Sequence, residues 1–264
     1  MKKYPLLILF ALLLAACSKS SDGGNSNNTN SVSKSANLKE TGASANDILS
    51  NANFSSLEIE IGYVGNYQPT QEAVDNLLAF LEARTYKQDI TVNYKTLPSP
   101  KKDTLSLEEI ADLEKVNRTA YNNGNTLAIY IYFADAPSED DNASTGEVTL
   151  GAVYRNTSMV IYEATVRELA ARTPLISLAD AETATINHEF GHLFGLVDLG
   201  SPEVNPHEDT ASKNHCDRSG CLMRAELEFG AGLMSTLQSR VGRAAVVPGL
   251  DSECILDLQA NGGR

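Results

Sequence analysis

The chain has 264 residues, a length that suits one domain with an additional tail. Its 34 acidic and 21 basic residues give a net charge of −13. A surface this acidic repels phosphate backbones, which argues against a nucleic-acid-binding protein. It also offers no basic surface for binding to membrane lipids.

The N-terminus is typical of a secretory signal. Lys2 and Lys3 precede an apolar run over residues 6–14, which is shorter than an ordinary membrane-spanning helix. The run ends in Leu14-Ala15-Ala16-Cys17, which resembles the bacterial lipobox. The resemblance implies that residues 1–16 are removed and that the sulfur of Cys17 carries a lipid. An ordinary signal peptide with a chance cysteine is the alternative.

Loss of this signal would also remove Lys2 and Lys3, leaving 34 acidic against 19 basic residues, a net charge of −15. Ser18 follows the cysteine and implies, by the same resemblance, sorting to the outer membrane of the bacterial cell envelope. Which face of the membrane the protein occupies stays open.

Residues 17–55 are rich in Ser, Asn, Gly and Lys and poor in large apolar residues. Such a composition cannot bury a core, so we predict a lipidated N-terminus followed by a flexible tether. The folded domain is then expected at residues 56–264.

Within that domain, alternating and helical apolar patterns follow one another in chain order. Strands are predicted at 57–63, 90–94 and 127–133, helices at 71–84 and after the capping pair Ser106 and Glu109, and a hairpin over 148–154 and 159–162. This order predicts an α/β (α+β) fold with a mixed twisted sheet, an antiparallel edge hairpin and backing helices.

The next helix carries the clearest chemistry, His188-Glu189-x-x-His192. Residues four apart lie on one helix face, so both imidazoles can bind a single Zn²⁺ while Glu189 lies beside it as a general base. Ser177 and Asp180 favour a helix start just upstream, and Gly195 favours its end. The alternative is a core helix that happens to carry two histidines.

The longer pattern His188-Glu189-x-x-His192-x-x-Gly195-x-x-Asp198 resembles the signature of the metzincin zinc peptidases. Downstream, His215-Cys216-x4-Cys221-x-Met223 resembles the archaemetzincins, and the lipobox adds a resemblance to lipid-anchored bacterial metalloproteases. These resemblances imply an N-terminal subdomain at about 56–195, a C-terminal subdomain at about 196–264, and a Met-turn with Met223 beneath the zinc.

The third zinc ligand is open among three residues. Asp198 stands at the spacing of the metzincin pattern and is the first choice. His215 directly precedes the cysteine pattern and is the second, and His207 in the same polar loop is the third.

The cysteines also leave two alternatives. In an oxidising compartment, Cys216 and Cys221 are close enough in sequence to form a small-loop disulfide. The competing hypothesis is a second, structural zinc site with Cys254. The oxidising compartment makes the disulfide the expectation. By resemblance, archaemetzincins complete a second zinc site with a later Cys-x-x-Cys, and here only Cys254 follows.

The sequence thus predicts a lipid-anchored zinc metalloendopeptidase that binds one catalytic Zn²⁺, cleaves protein or peptide substrates and binds no nucleic acid. By resemblance, the substrate would add to an edge strand, with residues 151–154 as the candidate. A non-catalytic lipid-anchored zinc-containing scaffold is the alternative function. The sequence assigns no role to residues 224–264 and no oligomeric state.

Overall fold

The computed structural model of the chain describes residues 34–142, 144, 147–243 and 246–264. The predicted signal at 1–16 and the lipidation site Cys17 lie outside these residues. Among the described helices, none has both the length and the apolar character needed to cross a membrane.

A five-stranded sheet in the order β2-β1-β3-β5-β4 forms the centre of the fold. Its strands are β1 (Ser56–Val64), β2 (Asp89–Leu97), β3 (Thr126–Phe133), β4 (Gly151–Arg155) and β5 (Ser158–Ile161). Strands β2, β1, β3 and β5 are parallel, and β4 pairs antiparallel with β5 at the edge. The predicted mixed sheet with an antiparallel edge hairpin is therefore confirmed.

The edge strand begins later than the predicted residue 148. The backbone N–H of Leu150 donates to the carbonyl of Glu228 at 3.1 Å, and Thr149 pairs with Phe229. The residues just before β4 thus bond to a segment from the C-terminal part of the chain, which occupies that end of the sheet edge.

Seven α-helices are described: α1 (Ala45–Leu49), α2 (Gln71–Arg84), α3 (Leu107–Asn117), α4 (Glu163–Ala170), α5 (Leu178–Leu193), α6 (Gly230–Arg240) and α7 (Ser252–Ala260). Two short 3₁₀ helices cover Lys34–Asn37 and Ala225–Leu227. Because side chains alternate along a strand, β3 contributes to two cores. Ile129 and Ile131 join the core that includes α2 and α5, whereas Tyr130 and Tyr132 join the one beneath α3. Both faces of the sheet are therefore covered, as the unbroken apolar run of β3 predicted.

The fold begins upstream of the predicted boundary at residue 56. Ile48 and Leu49 on α1 are fully buried in the main core, and the side chain of Asn37 is fully buried as well. The predicted tether over 17–55 is thus wrong for its C-terminal part. The composition of the segment is polar, but two of its apolar residues, Ile48 and Leu49, enter the core.

Candidate metal centres

The helix α5 passes through the interior of the protein. At its start, the hydroxyl of Ser177 accepts a hydrogen bond from the backbone N–H of Asp180 at 3.0 Å, which caps the helix as the sequence predicted. From Ala179 to Leu193 almost every residue is buried, polar side chains included. Buried polar side chains need partners or ligands, so this burial marks the helix as a site.

His188 and His192 lie on one face of α5, and His215 from the following loop joins them. One ring nitrogen from each histidine lies within 4.8 Å of the others. The Nε2 atoms of His188 and His192 are 3.2 Å apart, close to the roughly 3.4 Å edge of a tetrahedron with Zn–N distances near 2.1 Å. The three side chains therefore converge with the spacing of ligands to one ion.

Backbone carbonyls fix the orientation of two of these rings. The Nδ1 atom of His188 lies 2.8 Å from the carbonyl of Leu222, and that of His215 lies 2.9 Å from the carbonyl of Lys213. A ring that donates from Nδ1 presents the lone pair of Nε2 to a metal. The carboxylate of Glu228 lies 3.1 Å from Nε2 of His215 and adds negative charge beside the group.

Burial keeps the imidazoles of His188 and His192 neutral. It lowers the pKa of His188 to about 4, with the neighbouring His215 acting in the same direction. Burial lowers the pKa of His192 well below its usual range, again assisted by the other two histidines. Neutral imidazole is the form that binds metals, so the group is ready for an ion at neutral pH.

Glu189 lines a cavity of about 320 Å³, and His192 and His215 line it as well. Its side chain is 1 % exposed, and neither carboxylate oxygen makes a hydrogen bond of ordinary geometry among the described residues. Burial, followed by the charge of Glu228, raises its pKa well above the usual range. The backbone N–H of Val153 on β4 is near enough only to oppose this rise in the pKa slightly. An unpartnered buried carboxyl facing a cavity suits a group that exchanges protons with a bound molecule.

A glycine on the edge strand makes room for that carboxyl group. A Cβ atom added at Gly151 would lie 2.8 Å from both Oε1 and Cγ of Glu189. Any larger residue at the start of β4 would therefore displace the carboxyl group. Sequence reasoning did not assign this role to Gly151, because the contact joins residues 38 positions apart.

Met223 packs beneath the histidines, where the metzincin resemblance places a Met-turn. It is fully buried, and a Cβ atom added at Gly191 would lie 2.0 Å from its sulfur. The neighbouring Leu222 supplies the carbonyl that orients His188. The helix-disfavouring glycine of the motif is thus explained by close packing against this methionine.

The structure does not bring Asp198 to the histidines, so our first choice of third ligand is replaced by the second, His215. After Gly195 the chain places both Val197 and Asp198 at positive φ, 57° and 59°. This turn leaves Asp198 exposed, lining a different cavity beside Gly42 and Asn46. The spacing of the motif alone could not show in which direction the chain runs after Gly195.

A second cluster combines Cys216, Cys221 and Cys254 with Asp251, whose ligand atoms also lie within 4.8 Å of one another. All three cysteines are buried and carry free thiols, so the expected disulfide between Cys216 and Cys221 is absent. The separation of Cys221 Sγ from Cys254 Sγ is 3.6 Å, and Cys221 Sγ lies 3.5 Å from Asp251 Oδ1. Both distances exceed any covalent bond and match ligands around a tetrahedral Zn²⁺, roughly 3.8 and 3.5 Å apart.

Backbone amides stabilise negative charge on these sulfurs. The N–H of Arg218 donates to Cys216 Sγ at 3.3 Å, and that of Met223 donates to Cys221 Sγ at 3.4 Å. Hydrogen bonds from the thiols of Cys221 and Cys254 lower the pKa of Cys216. A lowered pKa favours the thiolate of Cys216, which is the form that binds metals.

His207, the third candidate ligand, lies beside this second cluster and is not among the histidines of the first. Its Nε2 atom lies 3.5 Å from Cys254 Sγ and 3.6 Å from the carboxylate of Asp257, while its Nδ1 atom contacts the carbonyl of Asn205 at 2.9 Å. Burial alone would lower the pKa of His207, but Asn205, Cys216 and Asp257 together raise it. The role of Asp251 was not predicted, since an Asp beginning a helix normally serves as its cap.

Both donor sets fit zinc. Three imidazoles with space beside them are typical of a catalytic zinc site, and three thiolates with one carboxylate complete a closed tetrahedral set. Zinc is thus the cofactor for which the histidine cluster is suited, in agreement with the prediction. The cysteine cluster offers a second site, which the sequence did not favour.

No family model matches the chain, and no curated protein is similar to it. Nine chains of solved structures match. One is the crystal structure of archaemetzincin from Methanopyrus kandleri, which covers 78 % of this chain and 96 % of that chain at 15 % identity and a TM-score of 0.49. A likeness this distant tells nothing of activity, so function has to be argued from the chain's own residues.

Proposed function

We propose that this protein is a zinc-dependent peptidase whose metal ligands are His188, His192 and His215. The observation that supports it is the cavity lined by His192, His215 and the buried Glu189, with His188 beside the other two histidines. A scaffold that only binds zinc needs no carboxyl group there. Gly151 leaves room for that carboxyl group, which further favours a catalytic site over a scaffold.

Each residue then has a chemical role. The three histidines would hold Zn²⁺, which would supply an acidified water in the cavity and polarise the scissile carbonyl. Glu189 takes the proton of that water and delivers it to the leaving amine, a role that a raised pKa suits. Cleavage of an amide needs this second proton transfer, because an amide anion is a very poor leaving group.

The free edge of β4 is the proposed binding site for the substrate backbone. Strand β4 pairs only with β5 within the described sheet, and Ala152 and Val153 line the cavity beside Glu189. An extended peptide could add to this edge as a further strand, hydrogen-bonded through main-chain groups. Binding in this mode would place a peptide bond of the substrate next to Glu189, whatever side chains the substrate carries.

Attachment to a membrane is proposed from the sequence pattern at Leu14-Ala15-Ala16-Cys17. The protein would be a lipoprotein of the bacterial cell envelope, held through its N-terminus. Cys17→Ala should leave it unlipidated, with an uncleaved signal or in the soluble fraction. Mass spectrometry that finds an unmodified Cys17 at the mature N-terminus of the wild-type chain would overturn this part.

Cleavage of casein or a peptide library by the soluble fragment tests the peptidase, with and without a chelator. Glu189→Gln keeps the shape of the side chain, so it should retain zinc while losing roughly 10²–10⁴-fold in kcat. The matched control is Glu168→Gln, a change of an exposed carboxylate on α4. Equal cleavage by Glu189→Gln and wild type would show that the mechanism is wrong.

A further inference from the structure

The described N-terminal residues 34–44, here called the strap, are firmly attached to the sheet. The Nδ2 atom of Asn37 donates to Oδ1 of Asn122 at 2.7 Å, to the carbonyl of Ala128 at 3.0 Å and to Oγ1 of Thr157 at 3.2 Å. A buried amide with its donors this well satisfied holds one backbone conformation. The strap is therefore a fixed part of the structure from Asn37 onward.

From there the strap binds the turn between β4 and β5. The N–H of Lys39 donates to Oδ1 of Asn156 at 3.0 Å, and the N–H of Asn156 donates to the carbonyl of Lys39 at 3.1 Å. The Nδ2 atom of Asn156 reaches the carbonyl of Ala36 at 2.8 Å and Oγ of Ser44 at 2.7 Å. One buried asparagine thus holds both ends of the strap against the C-terminal end of the edge strand.

The middle of the strap rests on the turn that follows α5. Gly42 has φ +79°, and a Cβ atom there would lie 1.5 Å from the carbonyl oxygen of Leu199. Only glycine can occupy such a position, since both the backbone conformation and the space exclude a side chain. Between these two attachments, Thr41 and Leu199 line the same cavity as Glu189 and His192.

The strap therefore joins the end of β4 to the end of α5, the two elements between which the cavity lies. The free edge of β4 runs from Gly151, beside Glu189, to Asn156, beneath the strap. Five residues of strand span roughly 16 Å. An extended peptide on this edge has room for about four residues between the reacting bond and the strap.

We propose that the strap closes one end of the substrate cleft, so that the enzyme cuts within about four residues of a chain end. This inference rests on the proposed peptidase function and adds the substrate class: accessible ends of peptides or unfolded chains, not the interior of long segments. Thr41 is the proposed specificity-determining residue, because it is the strap residue that lines the cavity containing Glu189.

The test begins with a cleavable bond mapped in a peptide library. The peptide is then lengthened with glycine and serine residues, either before or after that bond. We expect lengthening on one side to leave kcat/KM unchanged, and lengthening on the other beyond about four residues to lower it tenfold or more. An unchanged kcat/KM after lengthening on either side of the bond would overturn the proposal that one end of the cleft is closed.

Two variants connect that limit to the strap. Asn156→Ala removes the side-chain bonds to Ala36, Lys39 and Ser44, so it should relieve the penalty on long peptides. Thr41→Trp should shorten the tolerated length. The matched control for the first variant is Asn93→Ala, an exposed asparagine on β2 bonded to Glu58, which should leave the length profile unchanged. An unchanged profile in both strap variants would overturn the assignment.

Binding supplies a readout that does not depend on turnover. The natural chain has no tryptophan, so Thr41→Trp in the Glu189→Gln background places a single fluorophore beside the cleft. Its emission should change on adding a tryptophan-free cleavable peptide, whereas Tyr94→Trp on β2, at the opposite sheet edge, should stay silent. Unchanged emission from the Thr41→Trp variant during binding would exclude the strap from the cleft. If wild type cleaves no peptide at all, the peptidase proposal itself fails.

Discussion

The histidine and cysteine clusters use the same C-terminal segment of the chain in opposite ways. His215 lies next to Cys216 in sequence, yet its ring points to α5 while the sulfur points to α7. Leu222 orients His188, and the adjacent Cys221 belongs to the second cluster. Residues 215–223 therefore connect the two clusters.

Their surroundings differ in what a reaction needs. The histidine cluster opens on a cavity and has a buried carboxyl group without a partner among the described residues. The cysteine cluster has sulfurs that accept backbone N–H bonds, and its carboxylate, Asp251, already accepts from the N–H of Cys254 at 3.0 Å. Satisfied ligands in a closed set stabilise a fold, whereas an open position and an unsatisfied group permit chemistry.

The comparison also suggests how the parts depend on one another. α7 carries Cys254, and the loop before it carries Asp251, so metal bound there would hold the C-terminal helix to the loop of His215 and Met223. The cysteine cluster would then position the third ligand of the histidine cluster. Metal content and stability can test the two roles separately.

The largest effect is expected from removing the third histidine. His215→Ala should lose the zinc of the histidine cluster together with all measurable peptidase activity, because two imidazoles do not make a complete site. Asp198→Ala, an exposed residue outside the cluster, is the matched control and should keep both. Zinc per chain, measured by atomic emission, separates these outcomes. Loss of zinc in Asp198→Ala alone would restore our first choice.

Removal of one thiol should lower the stability of the fold more than it lowers the peptidase activity. Cys254→Ser should lower the zinc content from two ions per chain to one and reduce the free energy of unfolding by roughly 4 kcal/mol or more, as loss of a structural metal does. Gln259→Ala, an exposed change on the same helix, is the control. One zinc per wild-type chain, with reactive thiols in the folded protein, would remove the second site.

A smaller effect is expected at the edge strand. Gly151→Ala would press a methyl group against Glu189, and a displaced base should cost about 10–100-fold in kcat without loss of zinc. Gly249→Ala is the matched control, since a Cβ atom there meets nothing within 4 Å. Unchanged kcat in Gly151→Ala would mean that Glu189 can shift without consequence, contrary to the role proposed for it.

The sequence predicted the parts of the fold that depend on local pattern. The bounds of α2 are those expected, the capping box of Ser106 and Glu109 forms, and the sheet has its antiparallel edge hairpin. Each depends on periodicity or on residues a few positions apart. The pair His188 and His192 meets for the same reason, since the helix alone sets their spacing.

The errors arose where loops determine which residues meet. Asp198 stood at the right spacing but lies in a left-handed turn, whereas an irregular loop brings His215 to His188 and His192. Asp251, Gly151 and the strap act through contacts between distant parts of the chain. In the sequence, Asp251 looks like an ordinary helix cap, Gly151 like a strand end and the strap like a tether. No local pattern therefore distinguished them.

The smallest effect concerns a buried carboxyl that belongs to neither cluster. Glu163 on α4 is as buried as Glu189, but it has neighbours: Arg167, whose Nε lies 2.5 Å away, and the carboxyl of Glu182, which accepts from the N–H of Thr70. Burial, followed by the charge of Glu182, raises its pKa to about 9. A change at Glu163 thus tests whether a carboxyl group needs only to be buried in order to contribute to peptidase activity.

A raised pKa means that folded Glu163 holds its proton where the unfolded chain has lost it. Its contribution to stability is therefore complete below about pH 4.5, the ordinary pKa, and is lost as the pH rises towards 9. Glu163→Gln imitates the protonated group, so it should flatten the fall in melting temperature over this range and leave kcat unchanged. Glu168→Gln, exposed on the same helix, should keep the wild-type slope. A loss of activity in Glu163→Gln would mean that the distinction drawn between buried carboxyls with and without partners does not hold.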